Sequence, residues 1–329
     1  MKEAAYYDKR GEARVQCHLC PHNCVIAEGR VGLCGVRRNR AGTLYSEIYE
    51  QVTSVAMDPI EKKPLYHFHP GSSILSLGTR GCNFACEFCQ NWGISQADAA
   101  TSPLKSAAAV QAARREGSIG IAYTYNEPLI WFEYVLETAK LAREAGLVNV
   151  LVSNGYASPE PFEELLPYVD AMNLDIKAIR PEFYKRLCRG TLEPVLANAR
   201  AASRRTHLEV TNLVVPGHND TDEEFDELGR WVAGELGAHV PMHLSAYFPR
   251  HKLKAPPTPV ETLQRAHAIV SKHLRYVYLG NCYSDAGSST RCHQCGATLI
   301  TRRGYQVRVV GLTGALCASC GAENSIVVA

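Results

Sequence analysis

The chain has 329 residues, of which 46% are apolar and 21% are charged, and its formal net charge is +2. A length of this order predicts one large α/β barrel or two to three smaller domains. The near balance of charge argues against a general nucleic-acid or membrane-surface binder. No apolar run approaches the roughly 18 residues of a membrane-spanning helix, and Met1–Arg10 lacks the apolar segment of an export signal. We therefore expect a cytoplasmic protein.

The chain begins with a cysteine-rich segment, which we place at residues 1–70. It contains four cysteines with the spacing C-x2-C-x3-C-x9-C: Cys17, Cys20, Cys24 and Cys34. Tight cysteine groups in a chain without an export signal indicate metal binding rather than disulfides. The spacing differs from that of bacterial ferredoxins, and a proline follows the second cysteine instead of the fourth. We favour zinc at this group, with a second iron–sulfur cluster as the alternative.

Residues 71–284 alternate short apolar runs with longer amphipathic ones. The strand-like runs are Ser73–Leu77, Ile119–Tyr123, Val148–Val152, Ala171–Leu174, His207–Val215, His243–Ala246 and Tyr276–Leu279. The helix-like runs are Pro103–Glu116, Pro128–Ala145, Pro159–Leu166, Pro181–Cys188, Pro194–Arg204, Thr221–Leu236 and Pro259–His273. Alternating strands and helices predict a parallel sheet with right-handed crossovers. About six βα units favour a partial, TIM-like (β/α)6 barrel, with a doubly wound open sheet as the alternative.

A second cysteine group follows the first of these strands directly. Its members, Cys82, Cys86 and Cys89, have the spacing C-x3-C-x2-C. Three thiolates on a short loop can hold three corners of a cubane [4Fe–4S] cluster, so that the fourth iron has no protein ligand. An open metal position is where a substrate or cofactor binds. The alternative is a structural zinc site completed by Cys282 or a histidine, but such a site has no need to lie at the mouth of a barrel.

Pairs of polar residues follow or end the next three strands, where a barrel builds its site. These residues are Asn126, Glu127, Ser153, Asn154, Asp175 and Lys177. Ser and Asn side chains can hydrogen-bond a ribose or a carboxylate, and Asp175 and Lys177 face one side of their strand because they are two residues apart. The alternatives are that Asn126 caps the next helix, that Ser153-Asn154-Gly155 forms a turn, and that Asp175 and Lys177 form only an ion pair.

Three residues of the fifth and sixth strand regions are weaker candidates for the substrate side of the site. They are Asn212, His243 and Tyr247. A histidine on a strand is more often a hydrogen-bonded core residue than a catalyst. We expect the two isolated cysteines, Cys188 and Cys282, to be free and inert. No catalytic residue is assigned from the sequence.

The third cysteine group lies in residues 285–329, after the small polar linker Asp285–Thr290. It consists of two C-x2-C-G knuckles that contain Cys292, Cys295, Cys317 and Cys320. This pattern predicts a zinc ribbon, with a rubredoxin-like iron site as the minor alternative. So short a segment has almost no core, so the metal would hold it folded. The run Tyr305–Val310 predicts one strand within it.

Six segments carry a resemblance to a known family. They are Cys17–Cys24, Asp58–Leu65, Cys82–Trp92, Tyr123–Pro128, Ser153–Tyr156 and Asn173–Lys177. The cysteine loop resembles the signature of radical S-adenosylmethionine (SAM) enzymes. The combination of segments resembles the AmmeMemoRadiSam group, which is related to the pyruvate formate-lyase activating enzymes, and the resemblance spans nearly the whole chain.

The resemblance implies a mechanism and a set of roles. The open iron is chelated by the amino and carboxylate groups of SAM, an electron arrives from flavodoxin or ferredoxin, and a 5′-deoxyadenosyl radical abstracts hydrogen from a substrate. Phe88 packs near the adenine. Glu127 matches the acidic residue of the Gly-Gly-Glu motif that binds the SAM ammonium, although Asn126 stands where that motif has glycine. Asp175 and Lys177 match a pair that contacts the amino and carboxylate ends of SAM.

The sequence therefore predicts a radical SAM oxidoreductase with an undefined substrate. One alternative is a glycyl radical enzyme activase of the formate-lyase-activating type. A second is a metal-stapled module that binds RNA or protein, although the basic residues are scattered and the net charge is small. Relatives named for this group are encoded beside Memo-like and AMMECR-like proteins, which makes these possible partners. We expect neither membrane nor nucleic-acid partners.

Overall fold

A computed structural model describes residues 1–282 and 287–328 of the protein. Its largest sheet has eight strands: β1 (Ser54–Pro59), β2 (Ser73–Gly78), β3 (Gly120–Tyr123), β4 (Val148–Ser153), β5 (Ala171–Asp175), β6 (His207–Val214), β7 (Met242–Ala246) and β8 (Val277–Gly280). Strand β1 pairs antiparallel with β2. Strands β2 to β8 are all parallel, and each pairs with the next strand along the chain.

This strand order decides between the two predicted architectures. A doubly wound sheet reverses its order at a switch point, whereas this order runs from β1 to β8 without reversal. Six longer helices in the described residues connect the parallel strands: α1 (Ser106–Arg115), α2 (Phe132–Glu144), α3 (Pro159–Leu165), α4 (Glu193–Ser203), α5 (Asp222–Trp231) and α6 (Val260–Val270). Right-handed crossovers between successive strands place all of these helices on one side of the sheet. Trp92–Ser95 and Pro181–Phe183 are single helical turns in the same connections. The predicted α/β class with a parallel sheet is confirmed.

The strands are apolar because both of their faces are covered. All residues of β3 and all residues of β7 are buried, as expected for parallel strands between a helix layer and an inner core. Close packing of neighbouring strands also requires small residues at some positions. A Cβ atom added to Gly120 would lie 1.9 Å from the carbonyl oxygen of Val148, so only glycine allows β3 and β4 to start side by side.

The predicted strands lie within one residue of the observed ones at each end. The predicted helices differ more. Ser102–Pro103 is a short strand that pairs with Gln51–Val52, so α1 begins at Ser106 rather than Pro103. Pro128–Trp131 is a 3-10 turn that precedes α2, and Pro181–Phe183 is one helical turn that continues as a π-helical turn over Tyr184–Cys188.

The two cysteine-rich ends form small sheets of their own. In the N-terminal segment, Lys2–Glu3, Thr43–Ser46 and Arg37–Arg40 form one sheet, and Tyr7–Arg10, Arg14–Cys17 and Val25–Ile26 form another. At the C-terminus, Thr290–Arg291, Thr298–Arg303 and Gln306–Val309 form a sheet, and Leu312–Thr313 pairs with Leu316–Cys317. The strand predicted at Tyr305–Val310 is confirmed as Gln306–Val309, and it forms a hairpin with Thr298–Arg303, a strand that the sequence did not predict.

The predicted domain boundaries stay predictions. Strand β1, which the boundary at residue 70 assigns to the N-terminal segment, is an edge strand of the largest sheet. The boundary between residues 284 and 285 and the first two residues of the linker, Asp285 and Ala286, lie outside the described residues. Among the helices in the described part of the chain, none combines the length and apolar composition that crossing a bilayer requires.

The C-terminal segment is anchored on the segment 60–69, which precedes β2. Arg302 donates hydrogen bonds to the carbonyl oxygen of Tyr66 (2.6 Å) and to Thr290 Oγ1 (2.8 Å), and its Nε lies 3.7 Å from the Glu61 carboxylate. The side chains of Arg302 and Glu61 are each 1% exposed. Val327 pairs with the same segment through backbone hydrogen bonds to His67 and His69. The last segment of the chain is thus joined to the barrel by a buried charge pair.

This anchoring yields a stability prediction. Replacing Arg302 by Ala leaves the Glu61 carboxylate buried without its partner, so the free energy of unfolding should fall by about 3–5 kcal/mol. The neighbouring exposed residue Arg303 provides the control, because Arg303→Ala should change stability by less than about 0.5 kcal/mol. Chemical denaturation of both variants measures the difference. Equal effects would contradict a buried pairing role for Arg302.

Candidate functional site

A cavity of about 570 Å³ opens at the carboxyl ends of the parallel strands. The three cysteines of the second group line this cavity together with all of the cofactor-binding candidates from the sequence, namely Phe88, Asn126, Glu127, Ser153, Asn154, Asp175 and Lys177. The structure thus brings residues from three strand ends and one loop around a single space. A cavity of this size can enclose a small molecule, and its position is where a barrel of parallel strands builds its site.

The cysteine loop has little regular structure and is held by hydrogen bonds to its neighbours. The side chain of Asn126 accepts from the Thr79 N–H (3.1 Å) and donates to the Gly81 carbonyl (2.9 Å). Asn126 therefore anchors the loop, and the alternative that it caps the following helix is wrong. Glu127 is the cap instead, because its carboxylate accepts from the Leu129 N–H at 2.9 Å.

The far side of the loop rests on the segment after β5. The N–H groups of Ala85 and Glu87 donate to the carbonyl oxygens of Cys188 and Leu187, at 3.0 and 2.9 Å. Asn83 donates to the Tyr156 carbonyl at 2.6 Å and accepts from the Asn154 side chain at 2.9 Å. These bonds fix the loop from several directions, so the three thiols are preorganised before any ligand binds.

The arrangement of the three thiols fits an iron–sulfur cluster better than a single ion. In the described ranges 1–282 and 287–328, only Cys292, Cys295, Cys317 and Cys320 bring three or more metal-ligating atoms within 4.8 Å of one another. The sulfur atoms of Cys82, Cys86 and Cys89 are therefore spread more widely, although all three residues line one cavity. This spread is expected when each thiolate binds a different iron atom.

Of the three thiols, that of Cys86 is the one whose surroundings lower its pKa. The neighbouring Cys188 thiol, followed in magnitude by the Lys177 ammonium, holds the pKa of Cys86 below its usual value against the effect of burial. Burial raises the pKa of Cys82 and of Cys89. Cys188 is free and buried, as predicted, and it lies beside the cysteine loop although it belongs to none of the three cysteine groups in the sequence. No sequence spacing could have indicated this, because the contact is made by the π-helical turn after β5.

The Glu127 carboxylate is fully enclosed and accepts three hydrogen bonds. The donors are Ser153 Oγ (2.7 Å), the Asn154 N–H (2.8 Å) and the Leu129 N–H. Burial raises the pKa of Glu127 to about 7, although these three bonds act in the opposite direction. All three donors are neutral, so the charge of the ionised carboxylate is left without a cation. A positively charged ligand in the cavity would supply one.

Asp175 and Lys177 face the cavity together at the end of β5. Their charged atoms are 3.0 Å apart, and the Lys177 ammonium lies 5.9 Å from the centre of the Phe88 ring. Burial lowers the pKa of Lys177, but Asp175 and the thiols of Cys86 and Cys188 outweigh this effect and hold it above its usual value. Asp175 keeps 35% of its side chain exposed. Both charges therefore remain available to a ligand at the cavity wall.

Sequence reasoning missed a part of the cavity wall that contains two lysines, Lys62 and Lys63, and the side chain of Tyr125. Lys63 is buried and lies 2.7 Å from the Asp58 carboxylate, and its ammonium is 4.6 Å from the centre of the Tyr125 ring. Tyr125 has a φ of +72°, which is rare for a bulky residue and is maintained only where the surroundings enforce it. The adjacent lysines in the segment Asp58–Leu65 were the available signal.

The weaker candidates Asn212, His243 and Tyr247 are not among the lining residues. Thr211, Leu213 and Ser245 line the cavity instead. Asn212 faces away from it because alternate residues of a strand face opposite ways. Asn212 donates to the carbonyl oxygens of Ile176 and Lys177 and so supports the end of β5 from behind. His243 lies 2.7 Å from the buried Glu209 carboxylate, near the amino ends of the strands.

The other two cysteine groups differ from each other in geometry. The C-terminal four are close enough for one ion, and Cys295 and Cys320 are exposed. The N-terminal four, Cys17, Cys20, Cys24 and Cys34, line a separate small cavity that also contacts Arg37 and Ile130. Both groups therefore contain thiols that face a common space, as the sequence spacing predicts.

Comparison with known proteins agrees with this geometry. The family model of the Radical SAM superfamily matches residues 76–232. An uncharacterized protein of Methanocaldococcus jannaschii is 42% identical over the whole of both chains. The pyruvate formate-lyase-activating enzyme of Streptococcus mutans is 27% identical over 46% of this chain and 63% of its own length. The (2S)-3-sulfopropanediol dehydratase activating enzyme of Klebsiella oxytoca is 25% identical over 37% of this chain and 38% of its own length.

Solved structures share the fold at low sequence identity. Streptococcus suis SuiB bound to S-adenosylmethionine has a TM-score of 0.51 and 12% identity, over 66% of this chain and 50% of that protein. A radical SAM methyltransferase from Sphaerobacter thermophilus has a TM-score of 0.50 and 18% identity, over 70% of this chain and 71% of that protein. The chain thus spans less than two thirds of each activating enzyme named above and half of SuiB.

Proposed function

The chain belongs to the radical SAM superfamily, and we propose that it is an oxidoreductase of the AmmeMemoRadiSam type in which Cys82, Cys86 and Cys89 hold the [4Fe–4S] cluster. The observation that carries this proposal is the cavity that these thiols share with the polar residues at the ends of β3, β4 and β5. When bound, the cluster and SAM supply reductive cleavage of the sulfonium and hydrogen abstraction from a substrate. The protein contributes placement, charge and exclusion of water.

Each charged residue of the cavity wall would bind a different charged group of SAM. Asp175 suits the amino group and Lys177 the carboxylate of the methionine part, because each pairing joins opposite charges at a partly dehydrated wall. Glu127 adds a second negative charge whose present partners are all neutral. The Phe88 ring offers an apolar surface for the adenine.

The uncharged polar residues have a positioning role. Ser153 and Asn154 hold the Glu127 carboxylate, and the Asn154 side chain also lies 3.7 Å from Cys82 Sγ. Asn126 ties the cysteine loop to the end of β3. These bonds couple the cluster ligands to the SAM-binding wall, so a shift of one would move the other.

The substrate is left undefined in this proposal. Activation of a glycyl radical enzyme is the second candidate function, and the activating enzymes among the relatives favour it. Flavodoxin or ferredoxin would supply the electron. Memo-like and AMMECR-like proteins are proposed partners, and we place the protein in the cytoplasm.

We further propose that the C-terminal cysteines bind one zinc ion. In a tetrahedral Zn(Cys)4 site with Zn–S bonds of about 2.3 Å, the sulfur atoms lie about 3.8 Å apart. The four C-terminal sulfur atoms, all within 4.8 Å of one another, match that size. The metal would stabilise a segment that has a small core of its own.

The cluster assignment is tested by removing its ligands. The triple variant Cys82→Ala, Cys86→Ala, Cys89→Ala should lose SAM cleavage, measured anaerobically as 5′-deoxyadenosine after reduction, while zinc bound by the C-terminal cysteines stays. The control variant Cys282→Ser removes a free cysteine that belongs to none of the three cysteine groups. It should cleave SAM as well as the unmodified protein does. Deoxyadenosine production by the triple variant would refute the assignment.

Asp175→Asn keeps the shape of the side chain and removes its charge. Loss of one charge-assisted contact costs about 1.5 kcal/mol or more, so SAM affinity should fall at least about tenfold. The matched control is Asp98→Asn, which neutralises an exposed carboxylate away from the cavity. Binding is measured by calorimetry beside the melting temperature. A lower melting temperature with unchanged affinity would show that Asp175 serves only as an ion-pair partner of Lys177.

The raised pKa of Glu127 gives SAM binding a pH dependence. The carboxylate attracts a cation only when ionised, so with a pKa of about 7 the affinity should be about tenfold weaker at pH 6 than at pH 8. Glu127→Gln has no charge to titrate and gives the reference profile that the groups of SAM alone produce. Identical profiles for both proteins would rule out an ionised Glu127 in binding.

A further inference from the structure

The four N-terminal cysteines are brought together by the short sheet and turns of residues 7–36. The Cys17 N–H donates to the Cys24 carbonyl at 2.9 Å, and the Asn23 N–H closes a turn onto the Cys20 carbonyl at 3.1 Å. All four cysteines line one small cavity. Cys17 is buried, and the other three are partly exposed. The folded chain therefore presents four thiols to an enclosed space.

The spacing of these thiols separates two kinds of occupant. A single zinc ion draws four sulfur atoms to about 3.8 Å from one another, and the C-terminal group of this same chain has such spacing. Within the part of the chain that the structure describes, no three of the N-terminal cysteines come within 4.8 Å of one another. In this respect they match Cys82, Cys86 and Cys89, whose sulfur atoms are also spread around a cavity.

From this spacing we propose that Cys17, Cys20, Cys24 and Cys34 hold a second [4Fe–4S] cluster, which passes electrons to the first. Four thiolates would complete the coordination of all four irons, so this cluster would have no open iron and no substrate of its own. Zinc, which the spacing of the cysteines in the sequence favours, is replaced in this proposal by iron and sulfide.

The buried polar groups beside the cavity leave one N–H donor, Arg37 Nε, without a partner among the described residues. Arg37 lines the cavity, is 1% exposed and pairs with Glu133 at 2.5 Å. A buried guanidinium N–H without a partner is costly, and an anionic cluster with its thiolates supplies acceptors on that side.

The N-terminal group lies directly against the catalytic cysteine loop. The His22 ring, between Cys20 and Cys24, is 2.7 Å from the Asn83 carbonyl, which adjoins Cys82. A Cβ atom added to Gly81, on the other side of Cys82, would lie 2.7 Å from the Cys34 carbonyl. The relay role rests on the proposed function: a low-potential donor protein reduces the N-terminal cluster by one electron, and that electron moves on to the catalytic cluster.

Metal analysis of the unmodified protein tests the site without any variant. Anaerobically purified and reconstituted protein should contain about eight irons, about eight sulfides and one zinc per chain, since each cubane holds four of each. Two zinc ions with about four irons would overturn the proposal. The triple Ala variant of Cys82, Cys86 and Cys89 should keep about four irons, which distinguishes failure at this site from failure of the catalytic assignment.

Spectroscopy and electron donors test the relay. In the reduced protein, two adjacent clusters should give an electron paramagnetic resonance spectrum with magnetic interaction, and the triple variant should give the spectrum of an isolated cluster. Cys20→Ala with Cys24→Ala should cleave SAM with dithionite but lose at least about tenfold with a reduced flavodoxin. Cys282→Ser is the control for both measurements. Equal losses with both reductants, or iron content unchanged in the Cys20/Cys24 variant, would refute the relay.

Discussion

The geometry of the site depends on how an irregular loop of polar backbone is held rigid inside the protein. Residues 79–89 cannot satisfy their backbone groups within themselves, and they bond instead to Asn126, to the carbonyl groups of Leu187 and Cys188, and through Asn83 to Tyr156. Each of these partners belongs to the start of the connection after a different strand. The order of the parallel sheet therefore fixes the positions of the three thiols, and the cavity follows from that order.

Two buried carboxylates at opposite ends of the sheet differ in whether the fold supplies a counter-charge. Glu209 is enclosed by His207 and His243 and by two backbone N–H groups, and the histidines outweigh burial to hold its pKa well below the usual value. Glu127 has only neutral donors, and burial raises its pKa. The first carboxylate is compensated within the fold, whereas the second gains a counter-charge only from a ligand.

The periodicity of the sequence is sufficient to predict the seven parallel strands β2 to β8, because parallel strands buried on both faces are continuous apolar runs. It did not predict the antiparallel edge strand β1. The three cysteines and the strand-end residues that line the cavity could also be identified, since chain order places strand ends at one edge. Three things required the structure. Which of residues 211–213 face the cavity depends on the register of β6. The contact of Cys188 with Cys86 depends on a π-helical turn. The anchoring of the C-terminal segment by Arg302 depends on a hairpin that folds back onto Tyr66.

The three cysteine groups lie in different relations to the largest sheet, and these relations suit different roles. The C-terminal group lies on a segment that contacts residues 61–69 through Arg302 and Val327, so a metal bound there would stabilise a segment packed against the start of β2. The N-terminal group contacts the cysteine loop on both sides of Cys82, through His22 and Cys34. A metal ion at the C-terminal cysteines would influence the cavity only through the fold. A metal group at the N-terminal cysteines would lie beside the loop that carries Cys82, so on the proposals made above its identity would bear on the reaction itself.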